Sequence, residues 1–304
     1  MTRPTDGGSD RPDRPPSDGT CPSRGRRALA VAVGLGALAT GAAVIARRRF
    51  ERSTARRVAA LTDRPTGEPA RRFSPADVAD LPPPVRRYFE AVLPEGHPHA
   101  RTVRLRQRGS LRLGGPEDPW RPLTAVQHYA VDPPGFVWDA TVSLAPVASV
   151  RVVDAYADGR GDLHARLFGA VPVADAAPGP EMNEAELARY LGEAVWFPTA
   201  LLPAAGVRWR PRDDRSATAT LTDGDVTATL TFHFGEDDRV TRVTTDRRYR
   251  SVDGGFEATP WTGEFWDYRE RGGASVPARG RATWHLPDGD LPYWEGAVTE
   301  AAIE

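Results

Sequence analysis

Lysine is absent from the 304 residues, and all 40 basic side chains are arginine. Such a bias reads as a feature of GC-rich coding, so an arginine marks no site by itself. Against 41 acidic residues the formal net charge is -1, and the basic excess that an extended nucleic-acid surface requires is missing. A single cysteine, Cys21, excludes an intramolecular disulfide framework and any cysteine-based metal site. Catalytic signatures are missing too. There is no His-Glu-x-x-His, no phosphate-cradling glycine loop, no dinucleotide fingerprint and no Gly-x-Ser-x-Gly elbow. The six histidines are scattered. His97-Pro98-His99 reads as an exposed, proline-bounded loop, and two histidines are too few for a catalytic zinc. His128, His164, His233 and His285 fall on the more polar faces of their expected strands. No cofactor, no metal and no nucleic-acid partner is expected.

What is present is globular: 40% of residues are hydrophobic and 27% charged, too apolar for a disordered chain. Residues 1–27, dominated by Pro, Asp, Arg, Gly and Ser, read as a disordered tail. Residues 28–46 then carry no charge and are flanked by arginine on both sides. At 1.5 Å per residue they reach roughly 28 Å, close to the hydrocarbon thickness of a bilayer. They are expected to form one transmembrane helix, a signal anchor that places the protein in the cell membrane as a single-pass protein. Arg26-Arg27 also resembles a twin-arginine export signal, whereas Arg47-Arg48-Arg49 suits the boundary of a retained span. Counting arginines favours a cytoplasmic C-terminal domain, and the twin-arginine reading favours the other side. Residues 47–73 read as a linker.

Residues 74–304 read as one β-rich domain. Ser74-Pro75 with Asp77 is a helix start, and 85–93 is a second short amphipathic helix after Pro82-Pro83-Pro84. Beyond residue 100 the hydrophobic period becomes two. Val103, Leu105, Gln107 and Leu111 share one face, as do Phe136, Trp138, Ala140 and Val142, and Val226, Ala228, Leu230 and Phe232. Asp223-Gly224 marks a hairpin between two threonine-rich strands. In all, about ten to twelve strands are expected, more than an open twisted sheet holds without curling. Within them, 184–197 reads as a helix: Asn183 and Glu186 form a capping-box-like start, and Leu187, Tyr190, Leu191, Ala194 and Val195 recur at helical spacing. The fold class is therefore α+β. A large curled antiparallel sheet, a half-barrel, wraps around an amphipathic helix and is preceded by one transmembrane helix.

Several stretches resemble an uncharacterised bacterial and archaeal family: Leu81-Pro82-Pro83-Pro84-Val85-Arg86-Arg87-Tyr88-Phe89, Pro134-Gly135-Phe136-Val137-Trp138-Asp139-Ala140, the long run 186–202, and Pro260-Trp261. The resemblance covers roughly 78–304 and implies no activity. The order of elements is also similar to the lipoprotein-carrier fold, an antiparallel half-barrel closed by helices that holds acyl chains; that likeness is architectural.

Polar residues on faces that should be apolar are the informative ones. Gln107 lies with Val103 and Leu105, Gln127 with Ala125 and Tyr129, and Asp154 with Val152 and Tyr156. A buried carboxylate needs partners or stays protonated, and Glu193 can pair with Arg189 one helical turn away. Together with Trp138, Tyr190 and Trp196, these residues outline a candidate ligand-binding pocket between helix and sheet; a satisfied buried network that fixes the helix–sheet register is the other reading. The function expected is a membrane-anchored binding module for an apolar or lipid-like ligand, its partners the membrane and a lipid or lipidated protein. Two alternatives stay open: a hydrolase-type enzyme using Asp154 or Glu193 as a buried acid or base, and a purely structural or interaction domain.

Overall fold

The computed structural model describes residues 24–63 and 71–304, with side chains described from residue 40 onward. Residues 1–23 of the expected tail lie outside that description, and for residues 28–39 of the expected span only the backbone is described. Among the described residues, no helix is long and apolar enough to cross a membrane. The chain divides into two units, Met1–Val44 and Ile45–Glu304; the first is helical from residue 24 onward.

Helix α1 (Arg24–Thr62) runs through residues 47–62, where the sequence suggested a linker. The reason is a stripe hidden among its arginines. Phe50, Thr54, Val58 and Leu61 recur at helical spacing, and Phe50, Val58 and Leu61 pack on Ala130, Val137, Val153 and Ala155. Arg57 binds Asp162 and lies 3.3 Å from His164 Nε2, so charged pairs flank the apolar contact.

Among the described residues, thirteen strands form one sheet, in the order β6-β5-β4-β3-β2-β1-β13-β12-β11-β10-β9-β8-β7. The first meander comprises β1 (Thr102–Leu111), β2 (Arg121–Ala130), β3 (Gly135–Ala145), β4 (Ala148–Ala157), β5 (Arg160–Leu167) and β6 (Val171–Ala176). The second comprises β7 (Arg208–Asp213), β8 (Ser216–Asp223), β9 (Val226–Phe234), β10 (Val240–Val252), β11 (Gly255–Arg271), β12 (Ala274–Leu286) and β13 (Gly289–Ile303). First and last strands pair antiparallel and join the two meanders. β6 is the strand the sequence pattern did not reveal. It is a short edge strand containing Pro172, exposed along nearly its whole length, so no inward-facing alternation marks it.

Between the two outer edges runs a helix longer than α2 (Pro83–Val92), α3 (Pro180–Glu193), followed by short 3-10 turns at Ala194–Trp196 and Pro198–Leu201. α2 itself begins within the proline run, since Pro83 and Pro84 occupy its first turn. α3 touches β3, β4 and β5 on one wing and β9, β10 and β11 on the other. One helix reaches both wings because the sheet curls around it. The curl also explains why α3 is buried on more than one stripe: Met182, Ala185, Leu187, Ala188, Tyr190, Leu191 and Gly192 are all buried.

The sequence placed His97 in an exposed loop; the structure buries it. The segment 71–73 runs alongside 96–99, with Phe73 N donating to the His97 carbonyl at 2.8 Å, and the turn at Gly273 comes so near the ring that a β-carbon there would lie 3.5 Å from Nδ1. The described residues hold no group of three or more potential metal ligands.

Where the meanders join, Gly109 sits directly opposite Gly296. A β-carbon on Gly109 would lie 2.1 Å from the Glu295 carbonyl oxygen and 2.6 Å from the Gly296 Cα. Neither neighbour is a flexible side chain, so the strands themselves must move apart. Gly109→Ala is expected to destabilise the domain by about 1–3 kcal/mol, read as a shift in urea midpoint; an unchanged midpoint would show that the seam can widen freely.

Candidate functional site

On α3, Glu186, Arg189 and Glu193 follow one another at i, i+3 and i+7 and therefore share a face. That face meets the polar residues of the first meander. Trp138 Nε1 donates to Gln107 Oε1 at 2.8 Å, and Gln107 Nε2 donates to Gln127 Oε1 at 3.0 Å. Gln127 Nε2 donates to Glu193 Oε2 at 2.7 Å, and the Tyr129 hydroxyl donates to the same oxygen at 2.9 Å. Arg189 Nε donates to Glu193 Oε1 at 2.9 Å, and Arg189 also binds Asp154. The guanidinium lies over the rings of Trp138 and Phe136, at 4.8 and 5.0 Å from their centroids. A single hydrogen-bonded chain thus runs from strand β3 through β1 and β2 to the helix and back to β4.

The second wing supplies Arg248, Trp261, Trp284 and Tyr293. The Arg248 guanidinium lies 5.1 Å from the Trp261 ring and 5.2 Å from the Trp284 ring. Both Arg248 Nη1 and Trp261 Nε1 donate to the Tyr293 hydroxyl at 3.1 Å. β10 shifts register between Val240 and Arg242 and again between Thr245 and Arg248, and the second shift turns Arg248 to the inner face that Val243 occupies five residues earlier. Each bulge exchanges the inner and outer faces of the strand.

Between α3 and the sheet lies a cavity of about 440 Å³. Its wall includes the rings of Trp138, Trp196, Trp261, Trp284, Trp294 and Phe265 beside aliphatic residues such as Leu111, Val152 and Leu163. Asp154, Glu186, Arg189, Glu193 and Arg248 also line it, so the charged groups share one chamber with the rings. A larger groove, about 710 Å³, lies beside α1, but most of its charges, Arg108 excepted, are paired within it. Arg47 pairs with Glu51, Arg106 with Glu300 and Arg151 with Asp139. That groove is a solvated ion-pair surface, and the chemistry concentrates in the inner cavity.

Burial dominates the electrostatics there. It raises the Asp154 carboxyl against the pull of Arg189. It pushes Glu186 up to about 8, with the Asp154 charge as the next contribution. The Tyr129 hydroxyl is held well above its ordinary range, first by burial and then by Glu193. Burial works against the charge on Arg189, but Glu193 and Asp154 outweigh it and hold the guanidinium well above its ordinary value.

Of the seven residues singled out from sequence, Trp138, Asp154, Glu193 and Trp196 line the cavity. Gln107 and Gln127 stand behind it as the hydrogen-bonded relay. Tyr190 does not line it. Its ring packs 6.3 Å from Tyr129 and 5.9 Å from Phe197, and its hydroxyl has no partner. Sequence reasoning missed Glu186 and Arg248 as site residues. Glu186 read as a helix cap, whereas the helix begins earlier, at Pro180, and the Asn183 side chain accepts from Gly161 N instead. The spacing Glu186–Arg189–Glu193 was the signal that could have found it.

The profile of a family of unknown function, DUF6544, matches residues 71–296. The chain belongs to that family. The resemblance carried by the motifs of 81–89, 134–140 and 186–202 pointed to an uncharacterised family of this kind, and the cavity lies within the matched region. No curated protein matches the chain. Among solved structures, the chain is similar to a LolA superfamily protein, NE2245, from Nitrosomonas europaea, at 11% identity and a TM-score of 0.32, covering 73% of this chain and 92% of that one.

Proposed function

We propose that residues 74–304 form a binding module for an apolar or lipid-like ligand, held between α3 and the concave sheet. The observation that carries this reading is the chamber itself. Its volume of about 440 Å³ falls within the range of small-molecule sites, roughly 300–1,000 Å³. Its wall combines aromatic and aliphatic side chains with convergent charged groups, the composition that buries an apolar body and fixes a polar one. The same reading tethers the module to a membrane through residues 28–46. Support for that tether is the uncharged run itself, long enough to span, and a membrane or a lipidated protein is the partner that would deliver or receive such a ligand.

The test uses the full chain purified in mild detergent. Native mass spectrometry is expected to detect a co-purifying amphiphile. After its removal, the neutral fluorophore N-phenyl-1-naphthylamine should bind at a single site. Ala282 lines the cavity and is only partly buried, so Ala282→Phe fills the chamber at small cost to the fold. It is expected to weaken fluorophore binding about tenfold or more. An unchanged affinity in a folded variant would place the ligand elsewhere, and the absence of any binding would remove the reading.

A further inference from the structure

The inner charges of the chamber do not balance, and the imbalance bears on what the ligand carries. Asp175, Arg250 and Arg281, the more exposed charges of its lining, pair with Arg166, Glu257 and Glu295, and this leaves three carboxyls, Asp154, Glu186 and Glu193, facing two guanidinium groups, Arg189 and Arg248. Arg189 is spent on Asp154 and Glu193, and with both it forms close ion pairs. Arg248 donates to the Ala185 carbonyl and to the Tyr293 hydroxyl. Two acceptors remain without a partner: Asp154 Oδ1 and Glu186 Oε2. Both residues are more than nine-tenths buried, at 4% and 5% exposure, and both line the cavity.

Orphaned buried polar atoms are uncommon because each forfeits the hydrogen bonds that water would give it. Among the unpartnered buried atoms of the chamber's lining, Trp196 Nε1 and Arg250 Nε are donors, and the two acceptors are both carboxyl oxygens. Resting on the reading of that chamber as an amphiphile site, we propose that the ligand's polar head is a primary amine, bound as its ammonium ion between Glu186 and Asp154 while its apolar body lies along the tryptophan wall. An ammonium has three donors and no acceptor, which suits two carboxyl oxygens that lack donors. It also supplies the one positive charge that would balance three ionised carboxylates against two arginines. An anionic head would add to the excess in a low-dielectric site, where charge is most costly.

In the empty chamber the missing charge is a proton: burial and the Asp154 charge push Glu186 up to about 8, so its carboxyl is neutral at pH 7. The charged groups that face it are Asp154 from β4, Arg248 from β10, and Arg189 and Glu193 from its own helix. Binding then exchanges one cation for another. The alkylammonium enters with its charge, the Glu186 O–H bond breaks, the carboxylate keeps the electron pair, and the proton leaves to solvent.

The experiment displaces N-phenyl-1-naphthylamine from the full-length protein at pH 7 with dodecylamine, dodecanol and dodecanoate, which share one chain and differ in the head. Dodecylamine is expected to displace the fluorophore at a concentration lower by about tenfold or more than dodecanol, as a charge-assisted hydrogen bond in a buried site requires. Calorimetry in buffers of different ionisation enthalpy should find about one proton released per amine bound. The amine's preference over the alcohol should vanish in Glu186→Gln. Equal displacement by amine and alcohol would overturn the amine assignment and leave the cavity reading intact. So would tightest binding by dodecanoate, which would make the arginines the head-group receptor. Amine binding without proton release overturns the Glu186 exchange even if Glu186→Gln does not fold. If none of the three displaces the fluorophore, the reading of the chamber as an amphiphile site fails instead.

Discussion

Arg189→Met should destabilise the domain by about 3–5 kcal/mol at pH 7.5, the effect of leaving buried charge without its partner. Arg189 is the only cation within ion-pair distance of Asp154 and Glu193 among the described residues, and both pairs are largely shielded, with side-chain exposures of 16% for Arg189, 6% for Asp154 and 18% for Glu193. Methionine keeps the aliphatic stem that lies along the Trp138 and Phe136 rings, so the packing loss is small beside the electrostatic one. A variant that also carries Asp154→Asn and Glu193→Gln should recover most of the loss, because an uncharged network spares the desolvation that the lone carboxylates suffer. Urea midpoints at unchanged slope measure both. A loss below about 1 kcal/mol for Arg189→Met would mean that water reaches the carboxylates, and the chamber would then be far wetter than its tryptophan wall implies.

The parts of this site that were legible in the sequence are those on regular strands. Gln107, Gln127 and Asp154 stood out because a period of two put them on apolar faces, and β1, β2 and β4 keep the phase of that alternation where these residues lie. Arg248 was hidden by the opposite circumstance. The bulge between Thr245 and Arg248 resets the phase of β10 after Val243, so a residue in an arginine-rich, outwardly polar stretch turns inward. Glu186 was hidden by a competing local explanation, since a glutamate three residues after an asparagine is also what a helix start looks like. The true start depends on Pro180 in the first turn after Gly179. Charge masked the second half of α1 in the same way. Its arginines suggested a solvated linker, while Phe50, Val58 and Leu61 carried the packing. The curl was legible from strand number alone, but not the closure of β1 on β13, because that pairing joins residues far apart in the chain whose individual patterns do not name a partner.

Stability should fall as pH rises through neutrality, against the usual trend for a protein with paired carboxylates, and Glu186 is the reason. Its carboxyl is raised from 4.5 to about 8, first by burial and next by the charge of Asp154. In the unfolded chain the proton is lost near 4.5, whereas the folded chain holds it until about 8. Between those values unfolding releases a proton, so each step toward higher pH favours the unfolded state, and the dependence ends above pH 8. Asp154, raised by burial as well, acts in the same direction. His97, His99, His128 and His233 act against it at the acid end, because burial lowers each of them below the ordinary 6.5. The clean window is therefore pH 6.5 to 8, where Glu186 alone should contribute a fall of roughly 2 kcal/mol at about 1.4 kcal/mol per pH unit. Urea titrations at closely spaced pH values read it directly. Glu186→Gln keeps the shape and removes the ionisation, so its curve should be flat across that window and should lie above the unmodified protein at pH 8. A slope that survives in Glu186→Gln would assign the proton to another group, and a flat curve in the unmodified protein would mean that Glu186 is already ionised and partnered at neutral pH.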